Sequence, residues 1–160
     1  GGGMHIAMHA FGKITLFFCA GAIMVAAHEK KISRMHGLGR TMPVTFAAFF
    51  IGSLSIVGLP PAGGAWSKWF LAMGTLEAGQ LGLLAVLMLS TLLGLYYLLE
   101  VPVKAFFFDP PEDAHRAEGI HEAPTPSLIA ICVTAAATLG LFIWPEVWRE
   151  LMTMVVGGAG

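Results

Sequence analysis

Charge is scarce in this chain. Acidic and basic residues make up 12% of the sequence, against about 25% in soluble domains. They are absent altogether from Thr41–Ser67, from Ala78–Leu99 and from Ala123–Pro145. This excludes a soluble helical domain, whose exposed faces must be polar. Each run is long enough for a membrane span, because about 20 apolar residues cross about 30 Å of hydrocarbon. There is no basic run, and a formal net charge of −1 gives no ground for nucleic-acid binding. Cysteine is equally scarce: Cys19 and Cys132 both lie inside apolar segments and read as small buried hydrophobes, not as a disulfide. No basic leader precedes the apolar sequence, which is already under way at Gly1-Gly2-Gly3-Met4. The expectation is a chain that starts partway through a longer protein.

What is there is 56% apolar and predicts an all-α fold, a polytopic transmembrane helical bundle in a single membrane domain over residues 1–160. Four segments are expected, at about 3–27, 42–78, 80–107 and 126–144. Gly12 and Gly21 in the first suggest close helix packing. The second is interrupted at 58–64 and is too long for one straight span, since 37 residues of continuous helix reach about 55 Å. It is read as one broken crossing, with two complete crossings as the alternative. Thr125 is the expected N-cap of the last segment, with Pro126 at its first helical position. Trp144 and Trp148 fall where an aromatic belt would lie, and Glu146–Val155 reads as a short amphipathic interfacial helix.

The loop His28–Arg40 carries Lys30, Lys31, Arg34 and Arg40 against Glu29 alone, which places it in the cytoplasm by the positive-inside rule. With one broken crossing, the acidic loop Asp109–Pro124 is then cytoplasmic too. That loop holds His115 and His121, but its spacing matches no metal-ligand pattern, and it reads as a solvated linker. Glu100 and Lys104 read as a surface pair one helical turn apart.

Two groups of residues carry chemistry. His5, His9 and Lys13 stand at steps of four. Each step advances about 6 Å along a helix and drifts only about 40° around it. The three form a polar stripe about 12 Å long, with Lys13 at mid-depth. Histidine titrates near neutral pH, and an ionisable group at membrane depth marks function by default. Either the stripe passes protons through water-filled gaps, or the histidines only hydrogen-bond neighbouring helices and Lys13 pairs with a carboxylate elsewhere. The second group is the run Ile56-Val-Gly-Leu-Pro-Pro-Ala-Gly-Gly-Ala-Trp-Ser-Lys68. Pro60 and Pro61 each remove a backbone donor, while Gly58, Gly63 and Gly64 let the chain leave helical geometry. Broken helices recur at ion sites because exposed half-helix ends bind charge. The competing reading is a plain proline kink with Lys68 snorkelling outward. Thr15, Ser53, Ser55 and Ser67 either line a hydrated path or are ordinary membrane-helix hydroxyls.

The runs from His5 to Ile23 and from Gly52 to Lys68 resemble two motifs of the proton-antiporter superfamily. One is its His-x3-His-x3-Lys helix and the other its broken helix, in the same order and spacing. That superfamily includes the antiporter-like membrane subunits of respiratory complex I and the large subunits of Mrp-type multisubunit Na⁺/H⁺ antiporters. The wording Gly-Lys-Ile-Thr-Leu-Phe-Phe and Pro-Pro-Ala-Gly-Gly-Ala-Trp-Ser-Lys is most similar to the D-type large subunit of Mrp antiporters. The resemblance implies a partial antiporter-like fold with one discontinuous helix. It implies Lys68 as the proton site of the second repeat, and Lys13 as the central relay lysine with His9 and His5 beside it. It also implies that neighbouring subunits bias the charge of each lysine. The family's first repeat, with its Glu-Lys pair, has no counterpart here.

The expected function is therefore the C-terminal part of a proton-translocating transporter subunit, not an enzyme, in the bacterial cytoplasmic (inner) membrane. Its expected partners are other subunits of a membrane complex, the lipid bilayer, protons, and Na⁺ or another monovalent cation. No cofactor, metal or nucleic acid is expected. Three alternatives stand beside it: a membrane subunit of complex I, a structural remnant that transports nothing, and an unrelated ion channel.

Overall fold

The structure is a computed structural model that describes residues 2–28, 31–32, 35–109 and 121–157. Lys30 and Arg34 of the basic loop, and His115 with residues 110–120 of the acidic loop, lie outside the described residues. The described residues form helices α1 (Gly2–Ala27), α2 (Leu38–Thr41), α3 (Pro43–Val57), α4 (Gly64–Glu77), α5 (Leu81–Phe107), α6 (Thr125–Ile143) and α7 (Pro145–Gly157), with no strand among them. Three of these, α1, α5 and α6, are long and apolar enough to cross a membrane.

The register of side-chain contacts shows how the segments run. Leu16 of α1 packs on Gly52, and Gly12 packs on Ser55 and Ile56. Farther toward the start of α1, His5 meets Ser67. Along α1, then, α3 and α4 continue in one direction and together make a single broken crossing, antiparallel to α1. Helix α5 returns: Thr91 lies beside Lys68, Gly94 beside Val57 and Ser53 beside Leu98. Helix α6 runs with α3 and α4, so that Thr138 meets Gly63 and Phe142 meets Trp66.

Local sequence explains the irregularities. Pro102 lies inside α5 and has no N–H to offer the carbonyl of Leu98. Ser53 Oγ donates to that carbonyl from α3, at 3.4 Å. Gly58 closes α3 in the left-handed region, at φ 84°, and the amides of Gly58 and Leu59 both reach the Leu54 carbonyl.

The main core is built from Cys19 and Ile23 of α1, Phe46 of α3, and Ile131 and Ala135 of α6. The stripe that α1 buries runs through Met8, Gly12, Thr15, Cys19 and Ala22. Gly21 is off that stripe and exposed, and a Cβ there would meet nothing within 4 Å, so the close packing expected of it is not made among the described residues. Cys132 likewise is exposed on α6 rather than buried, because it follows Ile131, which takes the core-facing position. Helix α6 begins one residue earlier than Thr125 as N-cap would require. Pro124 is the N-cap, and its carbonyl accepts from the amides of Ser127 and Leu128. Helix α7 packs Trp148 and Met152 against Met4, Met8 and Leu141, while Glu146 and Arg149 pair on its outer face at 2.7 Å.

Glu122 is not a solvated linker residue. Its Oε1 accepts from the amide of Val44 at 2.6 Å, and its Oε2 accepts from Thr45 Oγ1 at 2.8 Å. The N-cap residue of α3 is Met42, which has no side-chain oxygen. A carboxylate from a distant loop therefore satisfies the free amides and the positive end of the helix. Glu122→Ala is expected to cost about 1–2 kcal/mol, the range of a lost charge-assisted cap. The check is the thermal midpoint of the detergent-solubilised protein, with Glu122→Gln recovering part of the loss.

Candidate functional site

The break between α3 and α4 is the centre of the site. A helix end leaves carbonyls without intrahelical partners, and in lipid these must be satisfied by protein or water. Here bonds from α6 and from Lys68 hold the break: two donors of the α4 side are taken up by carbonyls of α6, and one carbonyl at the end of α3 is taken up by Lys68. The amide of Gly63 donates to the Thr138 carbonyl of α6 at 3.1 Å, and Trp66 Nε1 donates to the Phe142 carbonyl at 3.0 Å. Lys68 reaches back over the break: its Nζ donates to the Val57 carbonyl at 2.8 Å and to Thr91 Oγ1 of α5 at 2.9 Å. The carbonyl end of a half-helix is electronegative, so an ammonium there is held by charge as well as by geometry. Lys68 therefore does not snorkel outward.

Two glycines make this possible. At Gly58, a Cβ would stand 2.5 Å from Lys68 Cδ, so the lysine stem passes over a residue that must lack one. At Gly64, a Cβ would collide with the Ser55 carbonyl, so α4 starts in direct backbone contact with α3. Gly63 is buried under Leu141, while Pro60 and Pro61 are exposed at the outer side of the turn.

Helix α1 supplies the second half of the site. The rings of His5 and His9 stack with centroids 5.1 Å apart, as a step of four in a helix allows. His5 Nδ1 lies 3.0 Å from Ser67 Oγ, and Ser67 Oγ donates to the Gly64 carbonyl at 3.0 Å. A hydroxyl has one proton; when that proton is on Gly64, Ser67 can only accept, and His5 then donates from Nδ1 and keeps Nε2 for exchange. His9 is half-buried, within Coulombic range of His5, Lys13 and Lys68. Its Nδ1 is buried with no hydrogen-bond partner among the described residues, and so is Ser55 Oγ.

Lys13 is placed differently from its sequence expectation. It lies on the exposed face of α1 and has no hydrogen-bonding partner among the described residues. The drift along the stripe is the reason. Two steps of four accumulate about 80° between His5 and Lys13, so a helix that turns His5 toward α4 turns Lys13 outward. The structure thus brings His5, His9, Ser67 and Lys68 together and leaves Lys13 at the edge. Ser53 and Thr15 serve carbonyls of α5 and of α1 itself. Thr91 was not legible as a site residue: a hydroxyl in an apolar span is ordinary, and only the fold sets it against Lys68. Among the described residues no group of three His, Cys, Asp or Glu could hold a metal.

A membrane helix broken at a lysine, faced by two stacked histidines, defines a polytopic membrane protein with an ionisable centre. The sequence family described as NADH:quinone oxidoreductase/Mrp antiporter, TM, matches residues 1–94, and the chain belongs to that family. It is 37% identical over 150 residues to NADH-quinone oxidoreductase subunit N of Desulforudis audaxviator, covering 87% of this chain and 30% of that one. It is 30% identical over 160 residues to F(420)H(2) dehydrogenase subunit N of Methanosarcina mazei, covering 94% of this chain and 32% of the relative. Subunit L of NADH-quinone oxidoreductase from Pseudomonas aeruginosa is 31% identical over 159 residues, covering 98% of this chain and 25% of the relative. A chain of the Mrp complex from Dietzia sp. has the same fold, with a TM-score of 0.79 at 23% identity, over 90% of this chain and 34% of that chain. The chain thus spans about a third of the length of the relatives it matches. It is an integral protein of the bacterial cytoplasmic membrane, of the proton-antiporter superfamily.

Proposed function

We propose that this chain is the C-terminal part of a proton-translocating, antiporter-like subunit of a multisubunit membrane complex. In this reading Lys68, His5, His9 and Lys13 exchange protons at mid-membrane, and the subunit is a transporter component that itself catalyses no covalent chemistry. One observation carries the reading: a lysine amine anchored on the open end of a broken half-helix, across from two stacked histidines on the neighbouring helix. A lysine whose only role was packing would be costly there, about 3 kcal/mol at bilayer depth. His9, with a buried nitrogen still unpaired, supplies the place where a water would join the histidines to the lysines.

The outward position of Lys13 supports the larger assembly. A lysine on the lipid-depth face of α1 needs a protein or water environment, and the rest of a subunit three times this length would provide it. Lys13 then carries protons between this half and the remainder, with other subunits of the complex biasing its charge. Replacing Lys13 by alanine in the full subunit is expected to cut transport at least about a hundredfold, the low end of the range for loss of a proton-transfer group. Assembly should be intact, because Lys13 makes no hydrogen bond to the described residues. Everted membrane vesicles with a pH-sensitive dye measure this; wild-type rates would remove Lys13 from the path.

The narrower assignment is to the D-type large subunit of an Mrp antiporter, which exchanges Na⁺ or another monovalent cation for protons; the wording of the two motifs supports it. A complex I membrane subunit is the second reading, favoured by the 37% identity to a subunit N. Purification of the native complex separates the two. Flavin and iron–sulfur clusters that copurify in stoichiometric amounts support the second, and cation-dependent proton flux without them supports the first.

A further inference from the structure

Resting on the relay reading of Lys68, we infer that Thr91 is a positioning residue that decides which proton of the lysine is free to move. Thr91 is the α5 side chain that hydrogen-bonds Lys68, and its geometry restricts what its hydroxyl can do. Thr91 Oγ1 donates to the Leu87 carbonyl one turn back, at 2.9 Å. Its single proton is thereby committed, so toward Lys68 Nζ, 2.9 Å away, it acts as an acceptor. The Val57 carbonyl, at 2.8 Å, is by nature an acceptor as well. Two of the three N–H bonds of the ammonium are therefore pinned, one to each oxygen.

This leaves one N–H direction for exchange. When Lys68 gives up a proton, the third N–H bond breaks and its electron pair stays on nitrogen as the lone pair. The proton adds to a water or an imidazole nitrogen of the relay, which gains the positive charge that Lys68 loses. The neutral amine still has two N–H bonds, and these remain on Val57 and Thr91. The lone pair points where the lost proton was, so the returning proton arrives along the same line. Without the Thr91 oxygen the amine turns about its bond to Cε, and the lone pair no longer keeps one direction. Thr91 does not itself carry the proton, because its own is held on Leu87.

The groups that face Lys68 and can titrate are His5 and His9 of α1. Helices α3 and α6 present no ionisable side chain there; α3 has none at all, and α6 has only Cys132 on its exposed side. On α5, Tyr96 and Tyr97 are exposed, and Glu100 and Lys104 pair with each other two to four turns farther on.

The test uses the full subunit in its assembled complex, with proton flux measured in vesicles across a range of pH. Thr91→Val keeps the shape and removes the oxygen, Thr91→Ser keeps the oxygen, and Thr91→Ala serves in parallel should valine disturb assembly. Thr91→Val is expected to assemble normally and to transport about tenfold more slowly, the scale of one hydrogen bond to a charged group. Its pH of half-maximal rate is expected to move by about half a unit or more. Thr91→Ser should restore the rate to within about twofold and return the pH profile. A valine variant with wild-type rate and profile overturns the inference. So does a serine variant as slow as valine, or a slow valine variant whose pH profile has not moved, since either result marks a packing role. Lys68→Ala is run alongside. If it transports normally, the relay reading itself falls; if it is inactive while Thr91→Val is normal, only the role of Thr91 falls.

Discussion

Lys68→Arg is expected to assemble and to transport nothing measurable, at least about a hundredfold below wild type, and Lys68→Ala is expected to do the same. Arginine is the sharper test. It keeps a positive charge on the carbonyl end of α3, where Lys68 donates to Val57, and it keeps donors for Thr91. It cannot release its proton in any ordinary pH range. If the charge alone were needed to hold the break closed, arginine would work. If the proton must leave, it fails. Alanine should also survive assembly. It removes two hydrogen bonds and leaves the Val57 carbonyl short of a partner, which costs about 1–3 kcal/mol. It also removes a charge from membrane depth, worth about 3 kcal/mol in the opposite direction. The two effects nearly cancel. Proton flux in vesicles and the amount of assembled complex on a native gel measure both sides, and transport by the arginine variant would end the proton-exchange role of Lys68.

Gly64→Ala is expected to remove the protein from the membrane altogether. The added methyl would overlap the backbone carbonyl of Ser55, which has no rotamer to change. Relief requires α4 to move off α3, and this would pull Lys68 away from Val57 and Ser67 away from His5. Overpacking of this kind costs about 3 kcal/mol or more when the neighbour is backbone. Gly74→Ala in the same helix is the control, since its methyl meets nothing within 4 Å. It should be neutral or slightly stabilising, because alanine is the better helix former. Equal membrane levels of the two variants, read by quantitative immunoblot, would contradict the contact at Gly64.

Much of the site could be read before any fold was known, and particular residues show why. Composition alone required membrane helices. Pro60 and Pro61 between glycines required a break, because no helix keeps its hydrogen bonds through two missing donors. The spacing of His5, His9 and Lys13 required one stripe on one helix, and the stacked histidine rings follow from that spacing. What could not be read is which way the stripe faces. A helical period orders side chains relative to one another and says nothing about where the partner helix lies, so the outward turn of Lys13 and the exposure of Gly21 were out of reach.

The partners across the bundle were out of reach for a related reason. Glu122 meets Val44 from 78 residues away, and Thr91 meets Lys68 from 23. Nothing local marks either residue, since an acidic loop and a threonine in an apolar span are both ordinary. By itself, the sequence determined the membrane class, the broken helix and the ionisable residues, because these depend on the cost of polar groups in hydrocarbon and on backbone chemistry. Only the tertiary structure decided which oxygens hold Lys68, which hydroxyl meets His5 and which lysine faces out, because those depend on distances between helices that no period along the chain encodes.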